Sequence, residues 1–270
     1  MWLSANGKTR FSTDLPTIAS RNLWLNCVSQ LPAPQCHLFC FPHAGGGASV
    51  YSPWAPLLAP KVALRAVQLP GRENRLAEQP ISSFSIVVNS IVDAMEPQLD
   101  RPFAFFGHSM GALMAWETAR ELRRRSMPQP VHLFVSGRQA PDLLSGHPPL
   151  HGLPDEEFLE ECVRIYQGIP QAVLNEPELV AMFLPALRAD MQAIETYEYQ
   201  DSHPLECPIT ALFGNGDRTS SPEAVRAWAR QTQKQFVYQE IAGGHFYLQS
   251  ARTVILAIVQ RALASYTNNF

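Results

Sequence analysis

The chain has 270 residues, a formal net charge of -3, and 46% hydrophobic against 17% charged residues. That is the composition of an ordinary globular protein, long enough for one large domain or two small ones. It offers no long-range attraction for nucleic acid or an anionic membrane surface, and no run of about 18 apolar residues marks a transmembrane helix.

Residues 1 to about 20 are polar and unpatterned, without the continuous apolar stretch of a signal peptide. Residues 1–30 are therefore expected to form an N-terminal extension and 31–270 a single domain. The five cysteines, at 27, 36, 40, 162 and 207, are too few and odd in number for a disulfide framework. Free thiols fit a reducing compartment, and the chain reads as cytoplasmic. Cys36 and Cys40 fall in a strand-like run, where four residues span about 13 Å, too far apart for two thiolates on one zinc. They read as small buried hydrophobes, and no metal site is expected.

From there, strand-like and helix-like segments alternate. His37 to Phe41 is an apolar run that ends at a proline and a glycine cluster. Val62 to Leu69 reads as a strand closed by Pro70-Gly71. Ser83 to Glu96 is helical, Phe103 to Phe106 a strand, and Met110 to Arg125 a helix. Val131 to Ser136, Ile209 to Gly214 and Gln235 to Ile241 are further strands, with helices at Pro222 to Thr232 and Leu248 to Tyr266. Alternating elements with apolar strands predict an α/β fold whose mostly parallel sheet is buried on both faces.

About 70 residues between the fourth and fifth of these strands break the alternation. Pro154 to Tyr166 carries Phe158, Leu159, Cys162, Val163 and Tyr166 on one helical stripe. Asn175 followed by Glu178 reads as a capping box, Pro185 is expected to break or kink the helix it opens, and Ala186 to Tyr199 resumes the pattern. An insertion this long, at about 153–200, is expected to be a helical lid over a site.

The sharpest chemical signal is Gly107-His108-Ser109-Met110-Gly111. Composition alone would produce a G-x-S-x-G match in roughly one chain in ten. Here it joins a strand directly to a helix, the setting of a nucleophile elbow, where small residues let the helix close on the strand. A serine hydroxyl needs a base. Of the eight histidines, His37 and His132 lie in strands, and His147, His151 and His203 in proline-rich loops. His43 belongs to the early loop, and His108 sits inside the elbow, pointing away from Ser109. His245, in Gly243-Gly244-His245 just past the last strand, is placed to serve. Asp217, at the end of Leu212-Phe213-Gly214-Asn215-Gly216-Asp217, is the candidate acid that orients it; Asp201, Glu206 and Glu240 do not follow a strand end in this way. The order Ser109, Asp217, His245 is that of the α/β-hydrolase fold. Pro42-His43-Ala44-Gly45-Gly46-Gly47 lacks the Gly-Lys-Ser/Thr ending of a phosphate loop. It suits an oxyanion hole, with backbone N–H groups of Ala44 and Met110 as donors.

The segments FCFPHAGGGAS, QLPGRENRL, FFGHSMGALMAWE, SGRQAP, LPALRADMQAIETYEY, LFGNGD and AGGHFYL together resemble the type II thioesterases that accompany nonribosomal peptide and polyketide synthases. The resemblance runs from about Leu38 to the last helix. It implies Ser109, Asp217 and His245 as the catalytic residues, Ala44 and Met110 as oxyanion donors, and a mobile lid in the helical insertion. The implied substrate is a stalled or wrongly primed acyl group on the phosphopantetheine arm of an acyl or peptidyl carrier protein. It also implies a monomer with no cofactor, no nucleic-acid partner and no membrane. A medium-chain acyl-carrier thioesterase of fatty acid synthesis or a carboxylesterase would share the triad. A hydrolase-like scaffold that only docks a carrier would keep the fold without the chemistry.

Overall fold

The structure is a computed structural model that describes residues 22–143, 146–169 and 171–267. Its strands are β1 (Leu25–Cys27), β2 (Cys36–Phe41), β3 (Val62–Val67), β4 (Phe103–His108), β5 (His132–Ser136), β6 (Ile209–Gly214) and β7 (Phe236–Ile241). They form one seven-stranded sheet in the order β1-β3-β2-β4-β5-β6-β7. The β1–β3 pair is antiparallel and the others are parallel. The helices are α1 (Ala55–Leu58), α2 (Phe84–Met95), α3 (Met110–Arg124), α4 (Asp155–Tyr166), α5 (Gln171–Leu174), α6 (Pro177–Glu195), α7 (Pro222–Arg226), α8 (Arg252–Ala262) and α9 (Ala264–Thr267).

The unbroken apolar strands are explained by two cores, one on each face of the sheet. Phe39, Phe41, Phe103 and Phe105 point to the face covered by α2 and α3. Their neighbours Leu38, Cys40, Ala104 and Phe106 point to the other, beneath Tyr51, Trp54 and α8. Strand periodicity divides each run between the two layers, and each phenylalanine so buried contributes about 2–3 kcal/mol. Cys36 and Cys40 are part of the second core; burial pushes the Cys36 thiol up to about 12 and holds the Cys40 thiol well above its ordinary value. The register places Phe41 opposite Gly107 and Gly107 opposite Val135, so the loops after β2, β4 and β5 leave the sheet side by side.

The helical insertion has a core of its own. Phe158, Cys162 and Ile165 of α4 pack with Leu184, Leu187 and Met191 of α6. Several expectations need correction here. Glu176, not Asn175, occupies the N-cap of α6, and Pro177 takes the first position, where no N–H is required. The Asn175 side chain instead accepts from Gln171 Nε2 at 3.1 Å. Pro185 does not end the helix: α6 runs through it to Glu195, held on either side by its packing on α4.

Elsewhere, β3 stops at Val67, short of Leu69. A 3-10 turn, Ala227–Gln231, replaces the second half of the expected helix after Pro222, and the last helical region starts at Arg252 and divides at Leu263. Part of the expected N-terminal extension belongs to the sheet: β1 pairs with β3 through Leu25, Asn26 and Cys27. Asn22 anchors it, accepting from the Trp24 and Leu25 amides at 3.1 and 3.2 Å and donating to the Ala94 carbonyl at 2.7 Å. Residues 1–21 of that extension lie outside the described residues. Among the described residues, no helix is long and apolar enough to cross a membrane, and no cluster of three His, Cys, Asp or Glu side chains is disposed to hold a metal.

Candidate active site

The turn between β4 and α3 is as tight as the glycine spacing demands. A methyl group on Gly107 would come within 2.0 Å of the Gly111 carbonyl oxygen, and one on Gly111 within 2.0 Å of that of Phe41. Ser109 sits at the apex with φ +55° and ψ −116°, a region that costs a non-glycine residue about 1–3 kcal/mol. Its amide donates to the Ser136 carbonyl at 2.8 Å, which fixes the strained turn to β5. The hydroxyl is thereby held at the carboxyl end of the sheet, at the N-terminus of α3.

His245 and Asp217 come from the loops after β7 and β6, and those loops are laced together. Gly216 N donates to Gly243 O at 2.8 Å, and Gly243 N to Asn215 Oδ1 at 3.1 Å. His245 Nε2 lies 3.1 Å from Ser109 Oγ, and its Nδ1 lies 2.8 Å from Asp217 Oδ2. The three residues expected from the sequence are therefore in relay. Both side chains of the His–Asp pair are buried. Burial works to raise the Asp217 pKa, yet the hydrogen bond and charge of His245, with two hydrogen bonds from Thr219, outweigh it and hold the carboxyl below its ordinary value. Thr219 donates to Asp217 Oδ1 through its amide at 2.9 Å and its hydroxyl at 2.8 Å. Nothing in the spacing of residues singled out Thr219 beyond its position two residues after the acid.

His108 does point away from Ser109. Its Nδ1 lies 3.0 Å from Ser136 Oγ, which lies 2.5 Å from the Tyr247 hydroxyl. Burial holds its pKa well below the ordinary value, with the nearby charges of His245 and His43 acting the same way. A neutral His108 adds no competing positive charge 5.1 Å, ring centre to ring centre, from His245. His43 packs edge-on against Phe246 at 4.9 Å, and its Nδ1 meets the Ala44 carbonyl at 3.0 Å.

Ala44 lines the same cavity as Ser109. Met110 opens α3, so its N–H belongs to the first turn and has no acceptor within the helix. The loop that carries Ala44 is clamped from two directions. Asp190 of α6, almost wholly buried, accepts from the Gly45 amide at 2.8 Å and forms a two-pronged pair with Arg72 at 2.5 and 2.9 Å. Arg72 Nη1 also donates to the Gly46 carbonyl at 3.2 Å. This pair joins the QLPGRENRL and LPALRADMQAIETYEY segments; nothing in their spacing announced it.

The cavity over Ser109 has a volume of about 620 Å³, within the usual range for small-molecule sites. Its roof is the helical insertion, through Phe183, Leu187, Met191 and Ile194 of α6 and Tyr166 at the end of α4. The Tyr166 ring centre is 5.5 Å from that of His245. The site thus combines an activated hydroxyl, a buried acid–base pair, a small-residue loop and a largely apolar enclosure.

Known proteins resemble this chain over most of its length. The family model described as "Thioesterase domain" matches residues 36–263. The chain is 39% identical over 246 residues to the gramicidin S biosynthesis protein GrsT of Aneurinibacillus migulanus, covering 91% of this chain and 96% of GrsT. It is 40% identical over 237 residues to the thioesterase PikA5 of Streptomyces venezuelae, covering 87% and 84%. Among solved structures, the type II thioesterase BorB from the borrelidin biosynthetic cluster superposes with a TM-score of 0.81 at 39% identity, covering 89% of this chain and 98% of BorB.

Proposed function

Because the chain belongs to the thioesterase family and has its α/β-hydrolase fold, we infer that Ser109, His245 and Asp217 are the residues with which it cleaves thioesters. The chain is a thioester hydrolase. The observation that carries the assignment of residues is the relay Ser109 Oγ to His245 Nε2 to Asp217, at 3.1 and 2.8 Å.

The reaction follows from that geometry. His245 Nε2 takes the Ser109 proton as Oγ attacks the thioester carbonyl. Asp217 holds the Nδ1–H tautomer and stabilises the imidazolium. The oxyanion is received by the Ala44 and Met110 amides, each donor contributing about 3 kcal/mol in the transition state. His245 then returns the proton to the departing thiolate, and the acyl group stays on Ser109 as an ester. A water activated by His245 attacks that ester, and the collapse releases the free acid and Ser109. No step in this sequence calls for a metal or a cofactor.

The substrate is an acyl group on the phosphopantetheine arm of an acyl or peptidyl carrier protein, and the role is removal of stalled or misprimed units from nonribosomal peptide or polyketide assembly. Support comes from GrsT, a gramicidin S biosynthesis protein, and BorB, from a borrelidin cluster. The enclosed apolar roof over Ser109 suits an acyl chain. The protein acts as a monomer, and its free cysteines fit the reducing cytoplasm. A single assay tests the reading. Acyl-loaded carrier protein, acyl-coenzyme A and a simple oxygen ester are offered to the wild type and to Ser109→Ala. Turnover should be fastest on the carrier and lost in the variant. A preference for oxygen esters, or undiminished release by the variant, would overturn it.

A further inference from the structure

The loop after β2 carries a histidine that the mechanism does not use. His43 lines the cavity with Ala44 and Ser109. Its ring lies over Gly46, where a methyl group would come within 2.9 Å of Cε1, and it packs edge-on against Phe246 at 4.9 Å. Its Nδ1 lies 3.0 Å from the carbonyl oxygen of Ala44. A carbonyl only accepts, so Nδ1 carries the proton. Burial is the largest influence on the imidazole and pulls its pKa below the ordinary value. The ring is therefore neutral near pH 7 and held in its Nδ1–H form.

The peptide that this proton binds is also held at its other end. His43 O accepts from Gly46 N at 2.9 Å, which closes a β-turn with Ala44 and Gly45 at its centre. Gly45 has a φ of +73° and Ala44 does not share the positive φ, so the turn is type II. Types I and II differ chiefly by a half-turn of the central peptide, which here joins Ala44 to Gly45. Its carbonyl meets His43 Nδ1, and its N–H meets Asp190 Oδ2 at 2.8 Å. A flip would break both bonds and turn the carbonyl towards a carboxylate. The Gly45 amide is committed to Asp190 and the Gly46 amide to His43 O. The Ala44 amide is the one this turn leaves for a substrate.

We propose that His43 is a positioning residue for thioester cleavage: its Nδ1–H, with Asp190 at the opposite end, keeps the Ala44–Gly45 peptide from flipping and so keeps the Ala44 N–H aimed at the oxyanion. The proposal rests on the thioesterase reading of Ser109 and on Ala44 as an oxyanion donor. His43 touches none of the reacting atoms. Its effect falls on the charge that develops in the transition state and leaves ground-state binding alone.

The test compares the wild type with His43→Phe, which keeps a ring over Gly46 and against Phe246 but has no N–H. On an acyl-pantetheine thioester, kcat should fall by roughly tenfold or more while KM changes by less than about twofold. Two acyl ketones separate positioning from packing. A trifluoromethyl ketone accepts Ser109 Oγ at its carbonyl carbon, the hydroxyl proton passes to His245, and the former carbonyl oxygen becomes an oxyanion. The matched methyl ketone resists addition and reports ground-state binding. His43→Phe should weaken binding of the first by a factor close to its loss in kcat and leave the second unchanged. In the wild type, nitrogen-15 NMR of the imidazole should show His43 in the Nδ1–H form, a measurement that needs no variant to fold. An Nε2–H form, an undiminished kcat in folded His43→Phe, or equal weakening of both ketones overturns the proposal. If the trifluoromethyl ketone forms no adduct with wild-type Ser109, the underlying thioesterase reading fails instead.

Discussion

The Gly45 amide donates to Asp190 Oδ2 at 2.8 Å, joining two residues 145 positions apart. Through this bond a helix of the insertion holds the loop that presents Ala44 to the cavity, and Arg72 completes the clamp from the opposite side. Removing one partner of a buried ion pair leaves the other charge stranded. Asp190→Ala should therefore lower the unfolding free energy by about 3–5 kcal/mol. Asp190→Asn, which keeps an acceptor for Gly45, should lose less. In Asp190→Asn the acyl-transfer kcat should fall more than KM rises, because the donor loop is loosened rather than the acyl cavity. Urea denaturation with steady-state kinetics checks both; a wild-type denaturation midpoint for Asp190→Ala would remove the clamp from consideration.

Ser109 is held at a positive φ that serves only to expose its hydroxyl. Glycine tolerates that conformation, though its greater freedom in the unfolded chain offsets part of the relief. Ser109→Gly should be inactive yet more stable than the wild type, by about 1 kcal/mol. Equilibrium unfolding in urea is the appropriate measurement. A variant less stable than the wild type would show that the turn is not strained in the way its dihedrals imply.

The elbow glycines should tolerate nothing larger. A methyl on Gly111 meets the Phe41 carbonyl oxygen at 2.0 Å, a contact with backbone that no rotamer change relieves. Gly111→Ala should cost about 3 kcal/mol or more and abolish activity by pushing α3 off β2. Soluble yield and the thermal unfolding midpoint would register it, with Gly146→Ala, where a methyl group meets nothing, as the matched control.

Asp217 sets a pH dependence whose sign is fixed. Its carboxyl is held below the ordinary value, burial opposing and the contacts from His245 and Thr219 prevailing. A depressed carboxylate contributes stability that is fully present above its unfolded pKa and is lost as pH falls through the folded one. The stability gap between wild type and Asp217→Asn should therefore be widest above about pH 4 and close below it. Thr219→Val removes one of the supporting bonds, so the same loss should set in at a higher pH. The kcat of Asp217→Asn should drop by about 10³–10⁴, since the amide does not hold the required tautomer. Urea titrations from pH 2 to 7 read the first two effects, and pre-steady-state acylation reads the third.

What the sequence disclosed follows from what each feature depends on. The elbow was legible because Gly107 and Gly111 answer a local steric demand, and local demands leave local spacing. Asp217 and His245 were legible because each follows an apolar strand by only a few residues. The Arg72–Asp190 pair was not, because its partners are 118 residues apart and neither sits in a position that betrays burial. β1 escaped because three residues are too few to show a period. Asn175 was misassigned because a proline at the first helical position satisfies the helix start by itself, without a side-chain cap.

The insertion's separate core bears on how such enzymes diversify. Phe158, Leu184 and Leu187 pack among themselves, whereas Ala193, two turns further along α6, is already part of the sheet's own core. Recombination that exchanges the roof between homologues would join cleanly only upstream of that point. It would have to inherit Asp190 and Arg72 together, from segments that lie on opposite sides of the nucleophile in the gene. A crossover placed anywhere between them takes the two halves of the clamp from different parents.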